Sequence, residues 1–379
     1  MAGRSSQERD GLERQNAALI AVFERAGFDH IAPDIIQPAD IFLERSGEDI
    51  RARTFVFTDP GGAEMCLRPD LTVPACRYHL SHVEDPSAER RYCYLGPAFR
   101  FPDELLSPQE FTQAGLEWFG AGEPVAAEAR VLKLTISALE AAGLTRYRVT
   151  FGDLGLFSAL LDDTEMPARW RQRLRHHFWR PHAFRDLLQS FSAGGGARQS
   201  SISPLVSRVA EADALAVVEA EISARSLPLV GGREPREIAD RLADKAADRR
   251  ERPLDPAKAD QLNAYLAIAG EASGIDSRFQ SIGGSERFAG ARNYYARRLF
   301  EMEELGLNPR RFHFAAGFGR ELEYYTGFTF QIEADVDGGA VTVAGGGRYD
   351  NLLSDMGAPS PVPAVGCAIH TDRLRAVLL

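Results

Sequence analysis

The stretch Glu110-Phe-Thr-Gln-Ala-Gly-Leu-Glu-Trp-Phe119 limits what this chain can fold into more than any other. It reads as a strand, with Phe111, Gln113, Gly115, Glu117 and Phe119 on one face. An amide and a carboxyl are thus set among apolar neighbours, and each needs a partner to offset its lost hydration. A face that mixes polar and aromatic side chains more often lines a ligand site than a dry core. The expectation is a sheet with one binding face.

Other elements can be placed around that strand. Ser5 and Glu8 have the spacing of a capping box. Leu12, Leu19, Ile20 and Phe23 then recur at helical spacing, with Gly27 as the stop, which predicts a helix over about 6–26. The Pro-punctuated run His30 to Pro38 suits extended chain. Arg91 to Phe101 and Arg146 to Asp153 read as strands. Between them, Pro124 to Ala142 reads as a helix with Pro near its start and Gly143 past its end. Residues 161–305 are rich in Ala, Arg, Glu and Asp at helical spacing, and Gly194 to Gly196 reads as a loop within them. Strand signals return at Arg311 to Phe318, Thr326 to Ala334, Ala340 to Val343 and Ala364 to Ile369, before a short helix containing Arg373 and Leu374. Periodicity alone says mixed α and β. The organisation expected is a core made of residues 1–160 and 306–379, interrupted by a mainly helical insertion over 161–305.

Charge and cysteines narrow the partners. The formal net charge is −10, whereas a nucleic-acid binder usually carries a basic surface. The four cysteines, Cys66, Cys76, Cys93 and Cys367, form no CxxC pair and read as reduced thiols. His176 and His177 have no carboxylate or thiol partner at metal spacing. Trp170, Trp179 and nearby arginines could form a basic aromatic patch, although a helix packed on a core is the simpler reading. No metal and no cofactor are expected. The polar N-terminus has no secretory pattern and no run of about 18 apolar residues exists, so a cytoplasmic protein without a membrane span is expected.

Five motifs carry the chemistry. They are Leu67-Arg-Pro-Asp-Leu-Thr72, Gly96-Pro-Ala-Phe-Arg100 with Gln109 to Glu117, Arg320-Glu-Leu-Glu-Tyr-Tyr-Thr-Gly327, Gly345-Gly-Gly-Arg-Tyr-Asp350 and Val365 to Leu374. Some have plainer readings taken singly. Pro69 and Asp70 suit a turn, Tyr324 and Tyr325 suit core filling, and the glycine run suits a tight turn before a helix. In order and spacing, however, the set resembles histidyl-tRNA synthetase, a class II synthetase family.

The resemblance covers about residues 10–155 and 310–379. It implies an α+β fold, with an antiparallel class II sheet flanked by helices that dimerises through its N-terminal region. It implies a histidine site of Asp70, Thr72, Arg100, Gln113, Glu117, Arg320, Tyr324, Tyr325 and Tyr349. Asp70 and Thr72 match the positions that hold the amino group. Arg100 matches the arginine that bridges the amino-acid carboxylate and the α-phosphate of ATP. Gln113, Glu117 and Tyr325 match residues near the amino group and imidazole. Arg320 matches the catalytic arginine, and Arg373 the arginine that contacts ATP. The chain also departs from the pattern. Pro102 stands where active enzymes have an acid, Asp103 to Pro108 carries two acids and no arginine, Glu321 replaces a glycine, and His370 falls where a glycine admits adenine. Pro102, His370 and Arg373 thus mark a degenerate nucleotide site. The sequence ends at Leu379, directly after the last motif, and an anticodon-binding domain is not expected.

The preferred expectation is a non-catalytic paralogue within this family. Such a protein would activate the short-form ATP phosphoribosyltransferase catalytic subunit in the first step of histidine biosynthesis. It would take part in feedback by the effector L-histidine, as a homodimer within a hetero-oligomer, and tRNA is not an expected partner. The alternative is an enzyme of the same type that adenylates an amino acid without an anticodon domain.

Overall fold

The computed structural model describes residues 5–45, 50, 52–102, 109–178, 180–193, 203–210, 212–225, 234–319, 324–336 and 339–379. The sequence readings at Asp103 to Pro108, Trp179, Gly194 to Gly196, Arg320 and Glu321 lie outside them. Two compact units are present: Met1–Ala159 with Ala267–Leu379, and Leu160–Leu266.

Among the described residues the larger unit is built on twelve strands: β1 (Asp29–Ile31), β2 (Ile36–Pro38), β3 (Val56–Thr58), β4 (Glu64–Leu67), β5 (Arg90–Phe99), β6 (Glu110–Phe119), β7 (Tyr147–Asp153), β8 (Ala269–Glu271), β9 (His313–Ala315), β10 (Phe328–Val336), β11 (Gly339–Arg348) and β12 (Ala364–His370). Nine form one sheet in the order β1-β5-β6-β12-β11-β10-β7-β9-β8, and β2-β4-β3 form a small second sheet. The central run from β5 to β7 is antiparallel throughout. Parallel pairs occur where β1 meets β5 and where β9 meets β7.

Five helices bear on the site: α1 (Ser6–Arg25), α2 (Thr72–His82), α3 (Pro124–Ala141), α4 (Glu286–Glu304) and α5 (Thr371–Val377). At α1 both halves of the capping box form, with the Ser5 side chain accepting from the Glu8 amide and the Glu8 carboxylate accepting from the Ser5 amide. Its buried stripe includes Leu12, Leu19, Ile20 and Phe23. Each such side chain stabilises the fold by about 1.5–3 kcal/mol on burial. Pro124 opens α3, whose buried face includes Val125, Ala129, Leu132, Ile136 and Leu139.

The other unit is helical. Trp170 stacks on Phe191, with centroids 4.2 Å apart and planes within 3°. Its indole donates to Asp248 at 2.6 Å, so Trp170 is a core residue with a satisfied polar handle. Arg169 and Arg173 also pair with Asp248. A second cluster gathers Val206, Val209, Val217, Val218, Ala239, Leu242 and Ala246.

The helical unit ends at Leu266, whereas composition placed the end of the insertion at 305. Residues 267–305 belong to the larger unit because α4 packs on α3 and buries Arg298 against Glu128 and Asp153. Composition did not distinguish α4 from the insertion, since it is equally rich in Arg, Glu and Ala.

Two glycines separate backbone strain from steric overlap. Gly27 has φ 85° and open space beside it, whereas Gly120 has φ 65° and a Cβ there would lie 2.4 Å from the Ser87 carbonyl oxygen. Gly27→Ala is expected to cost about 1–2 kcal/mol through left-handed strain alone. Gly120→Ala is expected to cost clearly more, as read by urea unfolding of the two variants side by side.

Candidate functional site

The site grows from the pairing of β6, β12, β11 and β10. Cross-strand register places Glu117, Gly366, Gly347 and Thr329 in one row, and Gly115, Ala368, Gly345 and Gln331 in the next. Gln113 pairs with His370 at the end of the same face. Four of these eight positions are glycine, and neighbouring side chains occupy the space beside three of them. A Cβ on Gly115 would meet the Tyr94 hydroxyl at 2.5 Å, one on Gly366 would meet the Glu117 carboxylate at 1.6 Å, and one on Gly347 would meet the Tyr325 ring at 2.9 Å. The glycine run of β11 is therefore strand, kept free of side chains so that others can lie across it. A bulge between Ile332 and Glu333 shifts the register so that Glu333 pairs with Thr342, which brings Thr342 onto the cavity face.

Above this floor lies a cavity of about 350 Å³. Asp70, Thr72, Arg100, Gln113, Tyr324, Tyr325, Tyr349, His370 and Arg373 all line it, so the structure brings these sequence-predicted residues together. Asp70 and Thr72 come from the start of α2, Arg100 from the end of β5, and the tyrosines from the ends of β10 and β11. Arg53, Gln331 and Thr342 also line the cavity and were missed in the sequence. Alternation along β10 would have found Gln331, but Thr342 depends on the bulge. Pro102 is half-buried and not among the lining residues. Among the described residues, no group of three or more His, Cys, Asp or Glu side chains could hold a metal ion.

The acids are held in contrasting ways. Asp70 is buried, and its Oδ1 accepts from the Val73 amide at 3.2 Å. Among the described residues its Oδ2 has no hydrogen-bond partner, nor does Oε1 of the buried Gln113. Burial pushes the Asp70 carboxyl above the usual range, while the nearby Arg100 guanidinium pulls it down. Arg100 is anchored through Nε to the Pro69 carbonyl at 2.7 Å and lies over the Phe111 ring. Arg68, in the same motif as Asp70, donates to the carbonyls of Pro97 and Pro33 and serves as a clasp outside the cavity.

Glu117 has no exposed surface. Tyr94 donates to its Oε1 at 2.9 Å, Tyr349 donates to its Oε2, and Thr72 also bonds to it. Desolvation outweighs these bonds and pushes the carboxyl up to about 8. Glu117 therefore reaches the cavity through Tyr349 and Thr72, which line it. At the far end, the His370 ring sits 5.2 Å from Phe111, and Arg373 donates to the Thr342 carbonyl at 3.4 Å.

Glu117 gives the unit a pH signature. It ionises at about 4.5 when unfolded and at about 8 in the fold. The stability from its neutral form is complete below the lower value and is lost as pH rises through the upper one. Across that window wild-type protein should lose stability relative to Glu117→Gln, measured by denaturant unfolding at a series of pH values.

A family model described as histidyl-tRNA synthetase matches residues 4–224 and 230–374. A protein of Chelativorans sp., described as an ATP phosphoribosyltransferase regulatory subunit, is 37% identical over 353 residues, covering 90% of this chain and 91% of that one. A protein of Brucella canis with the same description is 33% identical over 349 residues, with the same coverage. Among solved structures, an ATP phosphoribosyltransferase regulatory subunit/histidyl-tRNA synthetase from Bacillus halodurans matches with a TM-score of 0.72 at 21% identity, over all of this chain and 82% of that one. A histidine–tRNA ligase subunit from Alicyclobacillus acidocaldarius matches with a TM-score of 0.60 at 24% identity, over all of this chain and 95% of that one. The fold is of this class II type.

Proposed function

This chain belongs to the histidyl-tRNA synthetase family, and we propose that within it the protein is a non-catalytic regulatory subunit. It binds the short-form ATP phosphoribosyltransferase catalytic subunit, activates it in the first step of histidine biosynthesis and takes part in histidine feedback. The descriptions of the Chelativorans and Brucella relatives support a regulatory role in that pathway. A homodimer within a hetero-oligomer is part of the same reading.

One observation carries the ligand assignment. Buried acceptors on Asp70 and Gln113 lie without partners among the described residues, in a cavity that Arg100 also lines. A zwitterion matches that arrangement. Its ammonium group can donate to Asp70, Thr72 and Gln113, and its carboxylate can take paired bonds from the Arg100 guanidinium. The Glu117–Tyr349 end then faces the side chain, where a ring N–H is a fitting donor. On the nucleotide side, the His370 ring lines the cavity and occupies space beside Phe111. Histidine regulates the complex to the extent that it binds one of its states more tightly than the other.

Adding the chain to the short-form catalytic subunit, with ATP and phosphoribosyl pyrophosphate, should raise turnover, and L-histidine should suppress it. Absence of both activation and co-elution would sink the regulatory reading. Asp70→Asn should weaken histidine binding at least about tenfold, since a hydrogen bond to a charged group contributes about 1.5–3 kcal/mol.

A second reading, amino-acid adenylation, is favoured by the retention of both Arg100 and Arg373 in the cavity lining. It predicts amino-acid-dependent pyrophosphate exchange, which the regulatory reading does not.

A further inference from the structure

Behind the cavity lies a cluster of charged side chains that ligand recognition does not use. Arg298 of α4 donates to Glu128 at 2.5 Å and to Asp153 at 2.7 Å. Arg348, at the end of β11, donates to the other oxygen of Glu128, to the Pro124 carbonyl at 2.7 Å and to Asp350 at 3.0 Å. Arg298, Glu128, Asp153 and Arg348 are all buried, and only Asp350 is partly exposed. Burying such ions costs several kcal/mol each, and apolar side chains of similar volume are often as stabilising or more so. Stability alone is therefore a poor account of the cluster.

Its position suggests another. Arg348 and Asp350 flank Tyr349, the residue that donates to Glu117. The backbone here is fastened on both sides. The Tyr349 amide donates to the Ala364 carbonyl at 2.8 Å, and the Ala364 amide donates to the Asp350 carboxylate at 2.9 Å. Thr326 donates its amide to the Arg348 carbonyl at 2.8 Å, and its hydroxyl accepts from the Asp350 amide at 3.1 Å. Gly327 leaves room for the Arg348 stem, since a Cβ there would lie 3.0 Å from it. With Arg348 and Asp350 fixed, the direction of the Tyr349 side chain is fixed too.

We propose that the buried cluster of Glu128, Arg298 and Arg348 is a positioning device that holds Tyr349 against the Glu117 carboxyl. It ties that contact to α3, β7 and α4, so the side-chain end of the cavity depends on how α4 packs. Arg298 and Arg348 touch no ligand in this account and act through Tyr349. The proposal rests on the cavity being a binding site, but its test needs no ligand.

Glu117 faces Tyr94 of β5, Thr72 and Cys76 of α2, Asp70 before α2 and Tyr349 after β11. Of these, the bond from Tyr349 is the largest influence favouring its ionised form. Loosening that bond should make Glu117 harder to ionise. The readout is the infrared band of the protonated carboxyl, assigned to Glu117 by its loss in Glu117→Gln and titrated in the intact chain. Arg298→Lys keeps the charge but loses the planar fork, and Asp350→Ala removes the partly exposed end of the clamp. In either variant, once circular dichroism shows a folded chain, the band should persist to higher pH than in wild type. An unmoved midpoint in a folded variant overturns the proposal, because a purely structural cluster would change the melting temperature alone. Asp350→Ala carries the test if Arg298→Lys does not fold. Failure of histidine to bind wild-type protein would count against the proposed function and leave this titration unaffected.

Discussion

A carboxyl group with no exposed surface sits at the centre of the large sheet, and the strands around it are arranged to give it room. Glu117 can lie across the neighbouring strand only because Gly366 has no side chain. Tyr94 can reach it only by lying across Gly115, and Tyr349 approaches from the end of β11. The glycines, two of the tyrosines and the acid form one device. Its cost is desolvation, visible in the upward shift of Glu117, and three hydroxyl contacts offset part of it.

The rest of the cavity has the opposite character. Where Glu117 is saturated with partners, Asp70 and Gln113 each keep a buried acceptor without one. An unmet buried acceptor costs about 1–3 kcal/mol, a penalty that a bound donor relieves. Arg100 lines the same cavity, held by the Pro69 carbonyl. In the proposed function, the buried acceptors and the anchored guanidinium would receive a small molecule carrying both charges. The saturated end, stiffened by the ion cluster behind it, has less freedom to adapt and is suited to discriminating between side chains.

Much of this was legible in the sequence where local pattern and tertiary role agree. The alternation of Phe111, Gln113, Gly115, Glu117 and Phe119 gave β6 its bounds and flagged the face that carries Gln113 into the cavity. The Ser5–Glu8 spacing gave the start of α1. Legibility failed where the cause lies across the sheet. The strand signal in β11 faded at Val343 because glycine weakens strands in isolation, yet β11 runs on to Arg348, where Gly347 makes room for Tyr325. Thr342 reaches the cavity through a register shift that no single-strand pattern reveals. The unit boundary at Leu266 was hidden because Arg298 reads as one more charge in a charged helix until its buried partners are known. The motif residues Asp70, Thr72, Arg100, Gln113, Tyr324, Tyr325 and Tyr349 were found by resemblance, and their shared cavity is the geometric counterpart of that pattern.

The most direct test of the account is isothermal titration of the intact chain with L-histidine and, separately, with ATP. The account predicts saturable binding of histidine, weakened for histidinol, which lacks the carboxylate that Arg100 would hold, and no comparable binding of ATP. Absence of histidine binding, or binding of ATP as tight as that of histidine, would contradict it.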